Sequence, residues 1–298
     1  MDTLDTLRRK IDGARDIQSV VRTMKAMAAS NIGQYETAVD SLGDYYSTVS
    51  LGLVAYFRNN MAEPKGNLIA AKKKEERIIY AIVFGSDQGL VGQFNDTLAN
   101  FVKQSLNALA GKKEIWAIGE RVQLIMADEG YEIGKSFLVP NSVAAISPLV
   151  SEILVKSEES YEIESHRAFY IFHNQPNQLA GYSQVIKRLL PLDEQWRQEF
   201  IDHPWPSQNM PQLAGDAEAS IKALIHEYLF ISLFKACTES LASENASRLM
   251  AMQRAEKNID ELQDNLSRNF HRLRQSSIDE ELFDVVSGYE AMNKGLNQ

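Results

Sequence analysis

The segment Gly85-Ser86-Asp87-Gln88-Gly89-Leu90-Val91-Gly92-Gln93-Phe94-Asn95 follows an apolar run and precedes an amphipathic one. A glycine-rich turn between strand and helix is where backbone N–H groups cradle phosphates, so nucleotide binding is the first chemistry to weigh. Two features count against it. No Lys-Ser or Lys-Thr follows Gly92, and the glycines lack G-x-G-x-x-G spacing. A tight, closely packed strand-to-helix turn is the better reading. The histidines His166, His173, His203, His226 and His271 show neither HxxxH nor HxxE spacing, which argues against metal ligation. His173 ends an apolar run and reads as a satisfied core or edge residue. Asp279-Glu280-Glu281 offers paired carboxylates for acid–base work. On a late helical turn with no accompanying pocket signal they read as a solvated face. Cys237, the single cysteine, lies among apolar residues and reads as packing. With one cysteine there is no internal disulfide and no cysteine-based zinc site, and a reducing cytoplasm is expected. The sequence predicts no catalytic constellation, no cofactor and no metal.

The elements that position these residues are more telling. Stepping by three and four from Leu4 gives Leu7, Ile11, Ala14, Gln18, Val21, Lys25, Ala28, Ile32, Tyr35, Val39, Leu42, Tyr46, Val49, Leu53 and Tyr56. Only Gln18 and Lys25 break the apolar series, and no proline interrupts it. A seven-residue repeat held this long predicts a left-handed coiled coil, because one helix cannot bury such a stripe alone. A second helical pattern fills the C-terminal region from Asp216, with its end expected at Gly288. It supplies an antiparallel partner within the chain. Between them strand and helix patterns alternate. Strands are expected at Ile78–Phe84, Glu114–Ile118, Phe137–Val139, Ala168–His173 and Tyr182–Leu190, and helices at Asp96–Ala110, Arg121–Asp128 and Ile146–Lys156. Alternation of this kind predicts a mostly parallel sheet with right-handed crossovers.

The expected organisation is an N-terminal coiled-coil helix over 1–60, an α/β domain over 77–190, a loop over 191–215 and a C-terminal coiled-coil helix over 216–298. The loop assignment rests on Pro191, Pro204, Pro206 and Pro211. A charged run, Lys72-Lys73-Lys74-Glu75-Glu76, with Pro64 and Gly66 before it, marks another loop. The fold class is α/β: a long antiparallel coiled coil with a Rossmann-like parallel-sheet domain inserted between its helices. A net charge of -9 argues against nucleic-acid binding, which rests on neutralising phosphates. No apolar signal region opens the chain, and no run of ~18 apolar residues could span a bilayer. Small residues alternate with Met at Met24–Ser30 and Ser243–Met252, which reads either as coiled-coil interior or as an adaptable sliding surface.

Three stretches resemble the γ subunit of F-type rotary ATP synthases. Thr23-Met24-Lys25-Ala26-Met27-Ala28-Ala29-Ser30 is similar to the family's N-terminal A-M-x-M-V-A-A pattern. Ser86 to Asn95 is similar to S-D-R-G-L-C-G-x-x-N. Leu241-Ala242-Ser243-Glu244-Asn245-Ala246-Ser247-Arg248-Leu249 and Arg274-Gln275-Ser276-Ser277-Ile278-Asp279-Glu280-Glu281-Leu282 resemble L-A-S-E-x-A-A-R-M and R-Q-x-x-I-T-x-E-I. Order and spacing agree across the whole chain. Gln88, Val91, Asn31–Gln34 and Asp279 depart from the usual residues and are similar to a divergent bacterial branch of alternate, sodium-translocating type.

The resemblance implies a rotor that is not itself catalytic. Its helices would turn inside a hexamer of α and β subunits, three of each. The α/β domain would stand on the membrane c-ring beside the ε subunit. By position, Arg274 and Gln275 would form a polar catch with β loops, and Arg248 would join the same network. Glu281 would make an acidic contact near the tip. Met24 and Lys25 would sit near the β lever that transmits torque. Residues 288–298 would reach an apolar bearing. The implied location is peripheral, on the cytoplasmic face of the bacterial inner membrane. The coupled ion is a proton or sodium. The competing reading is a coiled-coil scaffold or tether carrying an α/β domain, which would dimerise through its heptads.

Overall fold

The computed structural model describes residues 3–59, 78–163, 167–177, 181–192, 194–209 and 215–295. The expected loop at 60–76 therefore lies outside the described residues, as do His166 and Pro211. The order of elements is α1 (Leu4–Asn59), β1 (Ile78–Phe84), α2 (Phe94–Asn107), β2 (Lys112–Ile118), α3 (Glu120–Asp128), β3 (Glu132–Phe137), α4 (Ile146–Ile163), β4 (Arg167–Asn177), β5 (Gly181–Leu190), α5 (Glu194–Asp202) and α6 (Ala217–Gly295). The chain divides into two compact units. One comprises Met1–Met27 with Leu249–Gln298, and the other comprises Ala28–Arg248.

The larger unit is built on a five-stranded sheet of order β3-β2-β1-β4-β5. β1 to β4 pair in parallel, and β5 runs antiparallel to β4 at one edge. β1 sits in the centre and is covered on both faces, which is why Ile78–Phe84 reads as an unbroken apolar run rather than an alternating one. Alternation still sorts its side chains. Ile79, Ala81 and Val83 face α2 and α3, where Leu98, Val102, Leu106, Val122 and Met126 meet them. Tyr80, Ile82 and Phe84 face the other way, onto α4 and the parts of α1 and α6 that belong to this unit. Tyr80 stacks on Phe169 with ring centroids 4.7 Å apart, and Trp116 meets both edge-on.

Several expectations are corrected. The stretch 191–215 is not all loop: Glu194–Asp202 is helical. Its prolines at 191 and 204 bracket the helix instead of interrupting it. Trp196 and Phe200, one turn apart, lie 4.8 Å from each other and pack on Phe57 and Tyr228 at centroid distances of 5.4–6.4 Å. The third strand lies at Glu132–Phe137 rather than Phe137–Val139. It pairs with β2 through an irregularity at Ile115/Trp116, and Leu138 is already exposed. α2 starts at Phe94, two residues early, and α4 runs on to Ile163. α6 passes Gly288 and continues to Gly295. A single glycine costs a helix only about 1 kcal/mol and does not end it. The α6 start is as read: Asp216 accepts N–H bonds from Glu218 and Ala219 at 3.3 and 3.2 Å, an N-cap.

Candidate partner-contact site

The smaller unit pairs the first turns of α1 with the last turns of α6. All sixteen heptad positions from Leu4 to Tyr56 are buried or half-buried, in both units, so the stripe is covered. In the smaller unit the polar breaks meet polar partners on α6. The Gln18 amide hydrogen-bonds Asp260 and receives a bond from Gln263 at 3.4 Å. Arg22 donates to Glu256 at 2.9 Å, and the Lys25 ammonium pairs with the other oxygen of the same carboxylate. Hydrogen bonds from Lys25 and Arg22 hold the Glu256 carboxyl below its ordinary range. Partner numbers fall on α6 as they rise on α1, so the helices are antiparallel. A polar pair inside an apolar seam permits one register and penalises its neighbours. Lys25 thus breaks the heptad to make an ion pair within its own unit. Met24 beside it is half-buried.

The register also shows where pairing stops. Partner numbers sum to 278–281, so Leu4 stands opposite residues 274–277 of α6. Beyond that point α6 runs past the start of α1 at Leu4. Ile278, Leu282, Phe283, Val285 and Val286 are accordingly exposed, Phe283 at 72 %. Arg274, Ile278, Glu281, Leu282 and Val285 recur at helical spacing and share one face, with Gln275 beside it. Arg274, Gln275 and Glu281 are all exposed. An apolar stripe rimmed by charges is the signature of a contact surface. Its apolar members were missed in the sequence, although the signal was there: the heptad of α6 continues after that of α1 has run out. Side chains from 288 onward lie outside the described ones.

Arg248 belongs to the other unit, apart from the remaining predicted contacts. It makes a buried i,i+4 ion pair with Glu244 at 2.6 Å. Burial raises the Glu244 pKa, and the Arg248 charge and hydrogen bond offset this only in part. The residues around Arg248 are not a sliding surface. Leu241, Ala242, Ser243, Asn245 and Ser247 are buried. Three serines on this stretch donate to main-chain carbonyls of the α/β core: Ser240 to Phe84 at 2.8 Å, Ser243 to Asn174 at 3.1 Å and Ser247 to Val91 at 2.6 Å.

The turn at 85–95 is the other half of that junction. The Asn95 amide accepts from the Ser86 N–H at 3.0 Å and donates to the Ser86 hydroxyl at 2.8 Å. The Asp87 carboxylate accepts from the backbone of Glu120 and Val139 at 3.0 and 2.9 Å, which caps α3. A Cβ on Gly119, whose φ is +110°, would lie 2.8 Å from the Ser86 main chain. The side chains of Ser86, Asp87 and Asn95 are therefore spent on each other and on the fold, as a closely packed turn requires. His173 is buried and bonded through Nε2 to Glu239 at 2.8 Å.

An antiparallel helical pair in one unit, a parallel-sheet domain in the other and an exposed apolar helix end fit a stalk-type assembly subunit. The chain belongs to the ATP synthase family, whose model matches residues 3–292. It is similar to the ATP synthase gamma chain of Pelotomaculum thermopropionicum, at 24 % identity over 98 % of this chain and 100 % of that one. The gamma chain of Malacoplasma penetrans is 26 % identical over 97 % and 99 %. In fold it resembles the central stalk of the Tetrahymena thermophila mitochondrial ATP synthase, with a TM-score of 0.57 at 18 % identity over 79 % of this chain and 99 % of that one. It also resembles a chain of the Euglena gracilis mitochondrial assembly of OSCP, F1 and c-ring, with a TM-score of 0.66 at 16 % identity over 98 % and 95 %.

Proposed function

We propose that this chain is the central-stalk rotor of an ATP synthase. It couples proton or sodium flow through a membrane ring to successive conformations of the catalytic β subunits. The carrying observation is the family match over nearly the whole chain, together with a helix end left uncovered by its own coiled-coil partner. A rotor changes affinities elsewhere only by contacting each state differently. The exposed end of α6 is suited to that, because its apolar and charged faces differ around the axis.

The partners are three α and three β subunits, ε, and the c-ring. Arg274, Gln275 and Glu281 meet β loops, and Ile278, Leu282 and Val285 add the apolar part of the same contact. Met24 and Lys25 lie near the β lever, with Lys25 steadied by Glu256, and Arg248 is held in position by Glu244. The chain does no bond chemistry: its candidate groups at Ser86, Asp87, Asn95 and Cys237 are taken up by packing and hydrogen bonds and His173 Nε2 is held by Glu239, which leaves catalysis to α and β. Attachment to the cytoplasmic face of the inner membrane is peripheral and runs through the complex. Among the described residues no helix is long and apolar enough to cross a membrane. A self-dimerising tether is less well supported, since α6 of the same chain already covers the α1 stripe.

Affinity purification of the tagged chain from its native cells tests this. Co-elution with α- and β-type subunits and ATPase activity is expected, and Leu282→Asp should lower coupled activity. A chain that elutes alone or as a self-dimer, without ATPase, refutes the rotor reading.

A further inference from the structure

A cavity of about 150 Å³ lies within the larger unit, between β4, β5, α1 and α6. Its lining mixes apolar side chains with several polar ones. Lys187 of β5 is half-buried there, with Nζ 3.1 Å from the Ser232 hydroxyl and 4.9 Å and 5.5 Å from the ring centres of Tyr228 and Tyr46. Lys235 of α6 lies over Tyr46 at 5.8 Å. One carboxylate, Glu239, faces the same space. It is already engaged by His173 Nε2 at 2.8 Å, by the Gln175 amide at 3.0 Å and more loosely by Lys235 at 3.8 Å. Burial alone would raise the Glu239 pKa, but these bonds and charges bring it below the ordinary range, so it is ionised. Two ammonium groups and one carboxylate line the cavity, and Glu199 adds a second carboxylate near Lys187.

The cost of holding the Lys187 charge also bears on what the cavity binds. Burial lowers the Lys187 pKa, so its charge is held at a cost that a hydroxyl and two ring faces only partly offset. We propose that this cavity binds a small oxyanion of the class of inorganic phosphate. Lys187, Lys235, Ser232 and the Gln175 side chain line it as donors. The volume matches a cavity that holds benzene. It falls short of the ~300 Å³ at which sites for larger ligands begin, so it suits a small anion better than a whole nucleotide. The lining comes from α1, from the sheet and from α6, so a bound anion ties the helices to the sheet.

The test is thermal unfolding and calorimetric titration of the full chain with potassium phosphate, against potassium chloride at matched ionic strength and against ADP. A saturable phosphate heat is expected, with a rise in Tm of roughly 5–10 °C at a hundredfold excess over Kd. Lys187→Met should weaken binding at least tenfold, and Ser232→Ala several-fold. Circular dichroism establishes that each variant is folded, and Ser232→Ala carries the test if Lys187→Met is not. Equal effects of chloride and phosphate overturn the proposal. So does unchanged phosphate binding in the folded variants, or binding of ADP without phosphate.

Discussion

Replacing Ser240, Ser243 and Ser247 together by alanine should separate α6 from the sheet without touching an apolar contact. Each hydroxyl is buried and donates to a main-chain carbonyl of a different segment: the end of β1, β4 and the turn after β1. Alanine fits the space, so no atom clashes. What is lost is the bond, and what remains is a buried carbonyl short of a donor. A net hydrogen bond contributes about 1 kcal/mol and an orphaned buried group costs about 1–3 kcal/mol. The Phe84 carbonyl ends a strand, and the Val91 carbonyl has only a 3.4 Å contact from the Phe94 N–H as a second donor. Each single variant should therefore lose about 1–2 kcal/mol, and the triple about 3–5 kcal/mol. For a unit of this size that is a fall in Tm of roughly 6–20 °C. Urea unfolding followed by tryptophan fluorescence measures it, since Trp116 and Trp196 both lie in the affected core. If the triple variant stays within about 0.5 kcal/mol of the parent, these serines do not clamp α6, and small size alone is the reason they stand there.

Three further outcomes are expected. Glu239 and Glu256 both have lowered pKa values in the fold, so the stability they supply is present above the ordinary value of 4.5 and is lost as pH falls below it. Glu239→Gln should flatten the fall in Tm between pH 6 and 3, and an unchanged slope would contradict the assignment. Gly119→Ala needs a residue at φ +110° with its Cβ against immovable main chain, so a loss of about 2 kcal/mol or more is expected in denaturant unfolding. Burial pushes the Cys237 thiol far above its usual range, so a thiol reagent at pH 8 should label it only at the rate of unfolding; fast labelling of the native chain would contradict its burial.

The heptad was readable because a coiled-coil seam obeys a local period. Gln18 and Lys25 stood out as its only breaks, but Glu256 and Asp260 could be named only once register was known. β1 was readable because a strand covered on both faces is apolar throughout. α5 was hidden by the prolines on either side, although Trp196 and Phe200 already stood four residues apart. The serines of α6 gave the least signal. Polar residues in a helix suggest solvent, and only the placement of Ser240, Ser243 and Ser247 along one face with Glu244 hinted that a sheet lies there. The contact face at 274–285 was half visible. Its charged members followed from the resemblance, whereas its apolar members follow from the register at which α1 ends.

The Gln18–Asp260 bond closes a loop of 242 residues, and this has a consequence for synthesis. The first helix leaves the ribosome carrying its whole apolar stripe, and the residues that cover it are made last. At ~5–20 residues per second the stripe waits roughly 10–50 s for its partner. Over that interval the nascent chain resembles a chaperone client more than a folding domain. Truncation anywhere before α6 would leave the stripe bare for good.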